Sequence, residues 1–331
     1  MDVFDAYKNV IQKAVENDPL RKHRTDYGLR EPYIDENQDY LIKLRNELPG
    51  MELNEGMKTF AKGMGRTPTL TYPVLGNHPD FSYLRGTNRS EDHWIISGFI
   101  DVRRSTQLFN KFTKGTVRLI TESIVRASIF AVNLCGGYVH RIQGDGLMVY
   151  FGGKSIEKKE AVKEALKSFA MISYFVKNDL KDYFDANGIK DIHTRAGLDM
   201  GHSNQVSWFY SGIGDSGEIT TCSLHTSLAP KMQSNAKING IVVGHNVHNQ
   251  LGNDKYFDKR NSPIHDYEDG RVYDQYNFDW ERYLVDTGMA IQKDSGVLVL
   301  TINALSTPGR DSNNLYNTAS KSKPFLNNEE L

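Results

Sequence analysis

Two apolar segments, each beside an aspartate, constrain most strongly what this chain can fold into. Residues 94–102 (WIISGFIDV) form a short apolar run that is typical of a buried strand, with Asp101 near its end. Residues 138–143 and 147–151 are rich in β-prone side chains and flank a Gly-Asp-Gly turn centred on Asp145, which predicts a hairpin. Between the two segments, apolar residues recur at three- and four-residue steps, which predicts a helix.

The sequence that follows extends this strand, helix and hairpin into a larger domain. An apolar stripe predicts a long helix over residues 156–183, and residues 194–200 and 206–210 are typical of strands. A helix over residues 224–233 and a short buried strand over 241–243 follow. We therefore predict an α+β fold, in which helices cover one side of a mostly antiparallel sheet.

The flanking segments have a different character. Residues 3–15 predict an amphipathic helix, after which the sequence becomes polar and rich in turns without a clear period. We interpret residues 1–92 as an N-terminal extension that dimerises or regulates, and 93–252 as the central domain. Residues 253–305 are interpreted as a C-terminal extension packed on that domain, and the polar residues 306–331 predict a disordered tail.

Composition argues against several classes of partner. The 331 residues contain 40 basic and 41 acidic side chains, whereas a nucleic-acid-binding protein usually has a basic excess. No run approaches the roughly 18 to 20 apolar residues that cross a bilayer, and residues 1–9 lack the apolar core of a secretory signal. Cys135 and Cys222 cannot form a disulfide framework. We expect a cytoplasmic protein with neither nucleic acid nor membrane as its partner.

Asp101 and Asp145 are the candidate metal ligands. The strands that carry them are natural neighbours in this order, so both carboxylates converge at one sheet edge and repel each other unless a cation lies between them. Hard divalent cations leave positions open for phosphate oxygens, and two such ions support an in-line phosphoryl displacement. Each aspartate alone has a structural interpretation, as a turn former or a helix cap, so the prediction depends on the pair.

The chain after Asp101 offers a candidate phosphate site. Arg103 and Arg104 lead into Ser105 and Thr106, which stand where the N-cap of the next helix belongs. Free backbone N–H groups at a helix start bind phosphate. The alternative interpretation of the two arginines is a solvated turn.

Together these motifs resemble the catalytic domain of the class III adenylate and guanylate cyclases. Residues 99–106 (FIDVRRST) and 140–151 (HRIQGDGLMVYF) are similar to that family's Phe-x-Asp-Ile-x-x-Phe-Thr sequence and its Ile-Gly-Asp-Gly hairpin. Residues 194–201, 210–215 and 236–244 continue the match in the family's order. The resemblance covers roughly half of the chain and implies an antiparallel sheet of the ferredoxin-like palm type with covering helices.

The resemblance implies a role for each matching residue. Asp101 and Asp145 match the two metal-binding aspartates, and Val102 matches a residue whose backbone carbonyl also reaches a metal. The implied cofactors are two divalent cations, Mn²⁺ or Mg²⁺. The same segment is implied to contact the substrate through Phe99, Ser105 and Thr106.

Arg141 stands four residues before Asp145, where the family has Lys for adenine or Glu for guanine. An arginine side chain only donates hydrogen bonds, and both purines require an acceptor. Cytosine offers adjacent acceptors at O2 and N3, and uracil offers O2 and O4, so the substitution favours a pyrimidine or a loosely recognised base. The structural alternative for Arg141 is a half-exposed strand arginine that is paired with an acid. The family's second base-contacting position falls on Ser211. CTP and UTP both remain open, because His93, His140 or Gln143 could complete a uracil site.

The family's transition-state pair, Asn-x-x-x-Arg, falls on Ser227 and Lys231. Serine can still form a hydrogen bond, and lysine can neutralise charge on the α-phosphate as a point charge instead of a planar fork. The Gly-Asp motif at 214–215 lies further from this helix than is usual in the family, with nine residues (EITTCSLHT, 218–226) as an apparent insertion.

These departures resemble the pyrimidine cyclases of bacterial anti-phage (Pycsar) systems, which make cyclic CMP or cyclic UMP for a separate effector protein. The family resemblance implies a homodimer with shared active sites, in which one subunit supplies the aspartates and the other supplies Arg141, Ser211, Ser227 and Lys231. The alternatives are an adenylate or guanylate cyclase and an inactive nucleotide-binding sensor. The absence of a Gly-Gly-(Asp/Glu)-Glu-Phe turn argues against a diguanylate-cyclase-like domain.

Overall fold

The run predicted as a buried strand, residues 94–102, is a central strand of the main sheet. The structure, a computed structural model, describes residues 3–23, 37–190, 192–294 and 296–301. In these ranges the strands are β1 (Ser90–Asp92), β2 (Ile95–Arg103), β3 (Tyr138–Gln143), β4 (Gly146–Phe151), β5 (His193–Gly201), β6 (Ser207–Ile213), β7 (Ser216–Cys222), β8 (Gly240–Gly244), β9 (Phe257–Lys259), β10 (His265–Asp266), β11 (Val272–Tyr273), β12 (Gln275–Phe278), β13 (Ala290–Gln292) and β14 (Leu298–Leu300).

The helices account for much of the remaining described chain. They are α1 (Asp5–Glu16), α2 (Pro19–His23), α3 (Gln38–Asn46), α4 (Glu55–Gly63), α5 (Lys114–Leu134), α6 (Lys158–Tyr174), α7 (Lys181–Ala186), α8 (Leu224–Asn235), α9 (His245–Leu251) and α10 (Trp280–Asp286). Shorter 3₁₀-helical turns cover Pro79–Leu84, Ser105–Asn110, Ser203–Gln205 and Asp254–Tyr256.

The main sheet has seven strands in the order β3-β4-β2-β5-β8-β12-β9. Each neighbouring pair is antiparallel except β5 and β8, which are parallel. A second sheet of three strands, β1-β6-β7, lies beside it. The α+β fold with a mostly antiparallel sheet is confirmed.

Glycines allow helices to pack on both faces of the main sheet. A Cβ at Gly98 would lie 2.6 Å from the ring of Phe169 in α6. A Cβ at Gly197 would lie 2.2 Å from the carbonyl oxygen of Ala229 in α8. Gly197 is paired with Phe99, the neighbour of Gly98, so the two glycines face opposite sides. The prediction that helices cover one side is therefore corrected, because α8 occupies the other.

Two predicted helices have different limits in the structure. The helix predicted to start at Ser105 starts at Lys114, because Thr113 supplies the N-cap by accepting a hydrogen bond from the backbone N–H of Thr116. The long helix predicted over 156–183 is interrupted by a π-helical turn at Phe175–Asp179.

Both extensions contribute to the core of the described chain. Helix α1 packs on α5, and Val10, Ile11 and Val15 are buried in the main hydrophobic cluster. The carboxylate of Asp18 accepts a hydrogen bond of 3.0 Å from the backbone N–H of Thr113. On the C-terminal side, β12 and β9 extend the main sheet beyond β8. The predicted disordered tail, 306–331, lies outside the described residues.

In the described part of the chain, helices fall short of the length and apolar character needed to span a bilayer.

Candidate active site

Asp101 and Asp145 lie at the same end of two adjacent strands. Asp101 is near the end of β2, and Asp145 is in the turn that precedes β4, where Ile100 pairs with Leu147. A Cβ on Gly146 would lie 2.8 Å from the carbonyl oxygen of Ile100 and 3.5 Å from Oδ1 of Asp101. Glycine at this position therefore lets the hairpin turn approach the end of β2.

The electrostatics of this pair favour a bound cation. Burial raises the pKa of Asp145, a hydrogen bond from Ser105 lowers it, and the charge of Asp101 raises it further. Oδ2 of Asp145 is buried and accepts no hydrogen bond from the described residues. Arg103 Nη1 lies 3.6 Å from Oδ2 of Asp101 and compensates part of the charge. A buried carboxylate oxygen without a donor, next to a second carboxylate, fits a hard divalent cation.

The residues that could hold such a cation are Asp101, Asp145 and the backbone of Val102, which is buried on β2. Carboxylate and carbonyl oxygens are the ligands that Mg²⁺ and Mn²⁺ take. Across the residues described, no group of three or more His, Cys, Asp or Glu side chains could hold a metal. Oxygens of water or of a substrate's phosphates could supply further ligands.

The segment after β2 differs from the predicted helix N-terminus. Arg104 adopts left-handed backbone angles, φ 64° and ψ 15°, which are strained for a residue with a side chain. The turn leads into the short 3₁₀ helix, and the Ser105 side chain forms a hydrogen bond with Asp145. Ser105 therefore orients the Asp145 carboxylate. A six-residue 3₁₀ helix stands where a long α-helix was predicted, so the helix dipole expected at this position is missing.

A basic cleft of about 580 Å³ opens beside Asp101. Its lining includes Arg103, Arg104, Thr106, Arg195 and Lys237. Arg195 reaches this end of the sheet because it pairs with Asp101 across β2 and β5. Burial and the neighbouring Arg103 lower the pKa of Arg195, so the cleft is a crowded group of cations. Such a group suits the anionic oxygens of a phosphate chain.

Sequence reasoning missed Arg195 and Lys237 as members of this cleft. Arg195 stands inside the motif 194–201 (TRAGLDMG), so its proximity to Asp101 could have been inferred from the pairing of the two motif strands. Lys237 lies in the connection between α8 and β8, within the motif 236–244 (AKINGIVVG), but the motif does not indicate that its side chain faces the cleft.

Arg141 and Ser211 both lie next to one carboxylate that sequence reasoning missed. Arg141 Nε donates a hydrogen bond of 2.6 Å to Oε2 of Glu218, and its Nη2 contacts Oε1 of the same residue. Ser211 is paired directly with Glu218 across strands β6 and β7. The structure therefore brings the two predicted base-contacting positions together around Glu218.

The apparent insertion at 218–226 supplies most of a strand. The Gly-Asp motif at 214–215 is the turn of the β6–β7 hairpin, and β7 leads directly into α8. Thr221 Oγ1 lies 2.9 Å from Oγ1 of Thr226 in the first turn of α8. Strand β7 therefore lies in the chain between Ser211 on β6 and the start of α8, which the order of the motifs does not indicate.

Ser227 and Lys231 are exposed on α8, one helical turn apart and therefore on the same face. The Ser227 hydroxyl donates a hydrogen bond of 3.1 Å to the carbonyl oxygen of Ser223. The opposite face of the helix is buried through Leu228 and Met232. Phe99, the remaining predicted substrate contact, is half-buried on β2 against the cluster that contains Tyr150 and Trp208.

Comparison with known proteins identifies cyclases in both sequence and structure. A cytidylate cyclase of Staphylococcus aureus is 34% identical over 222 residues, which cover 63% of this chain and 52% of that protein. A cytidylate cyclase of Escherichia coli is 29% identical over 230 residues, covering 67% of this chain and 49% of that protein. This chain thus spans about half the length of these relatives. No protein-family model matches it.

The fold has a counterpart among solved structures. The adenylyl cyclase CyaB from P. aeruginosa superposes with a TM-score of 0.50 at 19% identity, covering 57% of this chain and 95% of the CyaB chain. This likeness confirms the fold expected from the motifs. The chain has the fold of a class III cyclase catalytic domain and is similar in sequence to cytidylate cyclases.

Proposed function

We propose that this protein is a cytidylate cyclase, which converts CTP to 3′,5′-cyclic CMP and pyrophosphate. The observation that carries the proposal is the similarity to the cytidylate cyclase of Staphylococcus aureus, in a chain whose Asp101 and Asp145 converge beside a basic cleft. The relatives are about twice as long as the aligned region, so the proposal concerns the reaction and not the rest of their activities.

In this reaction the ribose 3′ oxygen forms a bond with the α-phosphorus, and the bond to the pyrophosphate leaving group breaks. Divalent cations, when bound, would favour ionisation of the 3′-hydroxyl and neutralise the leaving group. Asp101, Asp145 and the Val102 carbonyl would hold these cations, and Ser105 orients Asp145. The cations of the cleft, including Arg195 and Lys237, bind the phosphate chain.

The dimeric arrangement is part of the proposal. Ser227 and Lys231 face away from the protomer's own sheet, where they are available to the active site of a second copy. Lys231 would then neutralise charge on the α-phosphate in the transition state. We place this homodimer in the cytoplasm as a source of cyclic CMP for a separate effector in anti-phage defence, as the resemblance to Pycsar cyclases implies.

The test is a product assay with all four ribonucleotides. The 331-residue protein is incubated with each nucleoside triphosphate and Mn²⁺, and cyclic products are identified by mass spectrometry. We expect cyclic CMP from CTP, and loss of this product in Asp101→Asn. Cyclic AMP or cyclic GMP as the main product would replace the proposal with a purine cyclase. Nucleotide binding by calorimetry without any turnover would replace it with a sensor.

A further inference from the structure

We propose that Glu218 and Arg141 together recognise the cytosine base, and that Glu218 provides the selectivity against uracil. This inference rests on the proposed cyclase function and deepens it. The pair lies on neighbouring elements, β7 and β3, and Ser211 lies opposite Glu218 on β6.

The geometry of the ion pair determines which groups remain available to a ligand. Glu218 engages Arg141 from the side, through Nε at 2.6 Å and through Nη2. The outer edge of the guanidinium, made of Nη1 and the second N–H of Nη2, is not used by this contact. Both side chains are accessible, since 45% of the Arg141 side chain and 19% of the Glu218 side chain remain exposed.

The available groups lie in a fixed order along one edge. Nη1 donates, Nη2 donates, and the carboxylate oxygen beside Nη2 accepts, because a two-point contact of this kind is nearly planar. Cytosine presents the complementary order: O2 accepts, N3 accepts, and the N4 amino group donates. The pair therefore offers cytosine the same donor, donor and acceptor pattern that guanine offers it in a base pair.

Other bases match this edge less well. Uracil has N3–H where the pair donates and O4 where the carboxylate accepts, so two of its three groups face a like group. Guanine has N1–H at the middle position and fails there. Adenine can use its amino group and N1, but it leaves one guanidinium N–H without a partner. A mismatch of a buried polar group against a like group is the usual source of strong discrimination between similar substrates.

The N-terminal extension connects the two segments that carry Arg141 and Glu218. The N–H of Gly76 donates to the carbonyl oxygen of His140 at 2.9 Å, and the carbonyl oxygen of Gly76 accepts from Ile219 at 2.8 Å. One residue thus connects the neighbours of Arg141 and Glu218. Arg85 reinforces the contact by donating to the carbonyl oxygen of Gly217 at 3.1 Å. These hydrogen bonds hold the backbone beside Arg141 and Glu218 in place, which favours a preorganised site.

A purely structural role makes a different prediction. A partly exposed ion pair contributes little to stability, and loss of a purely structural pair would change the turnover of CTP and UTP by the same factor. The ratio of the two kcat/KM values separates the alternatives, because a stability effect cancels in it.

The test is competition between CTP and UTP in Glu218→Gln. Glutamine keeps the shape and the contact with Arg141, but its amide can present N–H to O4 of uracil. We expect the CTP/UTP ratio of kcat/KM to fall by about 10-fold or more, in line with 1–3 kcal/mol per base contact. The matched control is Glu281→Gln, which disrupts the Lys177–Glu281 pair of 2.6 Å on α10 and should leave the ratio unchanged.

The outcomes are separable. If the unaltered protein makes cyclic CMP and Glu218→Gln retains the original ratio, the inference is wrong and the cyclase function stands. If the unaltered protein makes no cyclic nucleotide, the proposed function itself fails. Should Glu218→Gln not fold, Glu218→Asp provides the same measurement, since the shorter acid withdraws the acceptor from the base. In Arg141→Lys, which loses the planar fork, we expect a higher KM for CTP.

Discussion

The Asp199 carboxylate lies 2.8 Å from Nδ1 of His225, and both side chains are buried between β5 and α8. Tyr273 donates a hydrogen bond of 2.8 Å to the other oxygen of the same carboxylate. One acid therefore joins a central strand, the first turn of α8 and the C-terminal extension. Ser227 and Lys231 follow on the same helix, so this junction sets their position relative to the sheet.

Asp199→Ala should destabilise the protein and displace α8. Removing the Asp199 carboxylate leaves Nδ1 of His225 and the Tyr273 hydroxyl without their buried partner, at a cost of about 1–3 kcal/mol in the free energy of unfolding for each unmade hydrogen bond. Urea denaturation measures this change. Asp258→Ala, on strand β9 at the exposed sheet edge, is the control. A loss below about 1 kcal/mol would contradict the anchoring role.

Tyr273→Phe is a milder test of the same junction. The substitution removes a donor to Asp199 and an acceptor that the Asn246 backbone N–H uses at 3.0 Å. We expect a loss of about 1–3 kcal/mol by urea denaturation. If the junction also positions Ser227 and Lys231, kcat for CTP should fall at temperatures where the variant remains folded. An unchanged kcat would show that the junction acts on stability alone.

Asp145→Asn should abolish cyclisation and stabilise the protein when no divalent cation is present. The asparagine removes a charge that burial and Asp101 both disfavour, for a gain of about 1 kcal/mol. Added Mn²⁺ should raise the melting temperature of the unaltered protein and not that of Asp145→Asn. Asp182→Asn, exposed on α7, is the control for both measurements. An equal Mn²⁺ response in all three proteins would place the cation elsewhere.

Stability should fall steeply as the pH drops below about 6.5. Burial lowers the pKa of His140 from 6.5 to about 4 and that of His78 from 6.5 to about 3. Between pH 6.5 and the lowered pKa of each histidine, the unfolded chain binds a proton at that histidine and the folded protein does not. The free energy of unfolding therefore decreases as the pH falls through this range. Each histidine should contribute about 2 kcal/mol to the loss between pH 7 and pH 5.

Denaturant titrations at several pH values measure this slope. His140→Gln should flatten it, because glutamine does not titrate. His265→Gln, a half-buried residue on β10, serves as the comparison and should retain the full slope. Equal slopes in the two variants would contradict the assignment to His140.

Gly76→Ala should weaken the backbone hydrogen bonds that connect Gly76 to His140 and Ile219, beside the Arg141–Glu218 pair. Gly76 has φ 67°, and a Cβ there would lie 2.9 Å from Cβ of Glu218. Gly86 has a similar φ of 70° with no atom within 4 Å, so Gly86→Ala measures the backbone strain alone, about 1 kcal/mol. We expect Gly76→Ala to cost more than Gly86→Ala in thermal unfolding. Only Gly76→Ala should lower kcat/KM for CTP. Equal effects of the two substitutions on CTP turnover would contradict a role of Gly76 in positioning Arg141 and Glu218.

The sequence was informative where structure is local. The apolar run of β2 and the Gly-Asp-Gly turn before β4 predict their elements with nearly correct limits, and their order places Asp101 beside Asp145. Both signals consist of side chains that interact within a few residues of one another. The order of the motifs predicted the fold of the domain, whereas periodicity alone predicted its separate strands and helices.

What the sequence did not reveal depends on contacts between distant segments. Glu218 was interpreted as part of an insertion, although the β-branched Ile219, Thr220 and Thr221 follow a Gly-Asp turn and are typical of a strand. Its contact with Arg141 joins segments that are distant in the chain, so no local pattern indicates it. Lys237 enters the cleft only through the placement of α8 and β8. The late start of α5 follows from Thr113, whose capping role competes with that of Ser105 in the same polar stretch. In residues 37–92 the helices α3 and α4 have only nine residues each, so the apolar spacing of α4, with Met57, Phe60 and Ala61 buried, extends over too short a segment to stand out in the sequence.

Strand β12 has a consequence for how this chain can be divided. Its residues Gln275–Phe278 pair with β8, and β8 is an almost wholly apolar strand, GIVVG. A chain cut near residue 251 would keep the pairing of β8 with β5 but leave the backbone N–H and C=O groups on its β12 side unpaired, along a hydrophobic edge. Such an edge is a template for association with other chains. The segment that carries the cyclase-like motifs is therefore shorter than the segment that completes the main sheet.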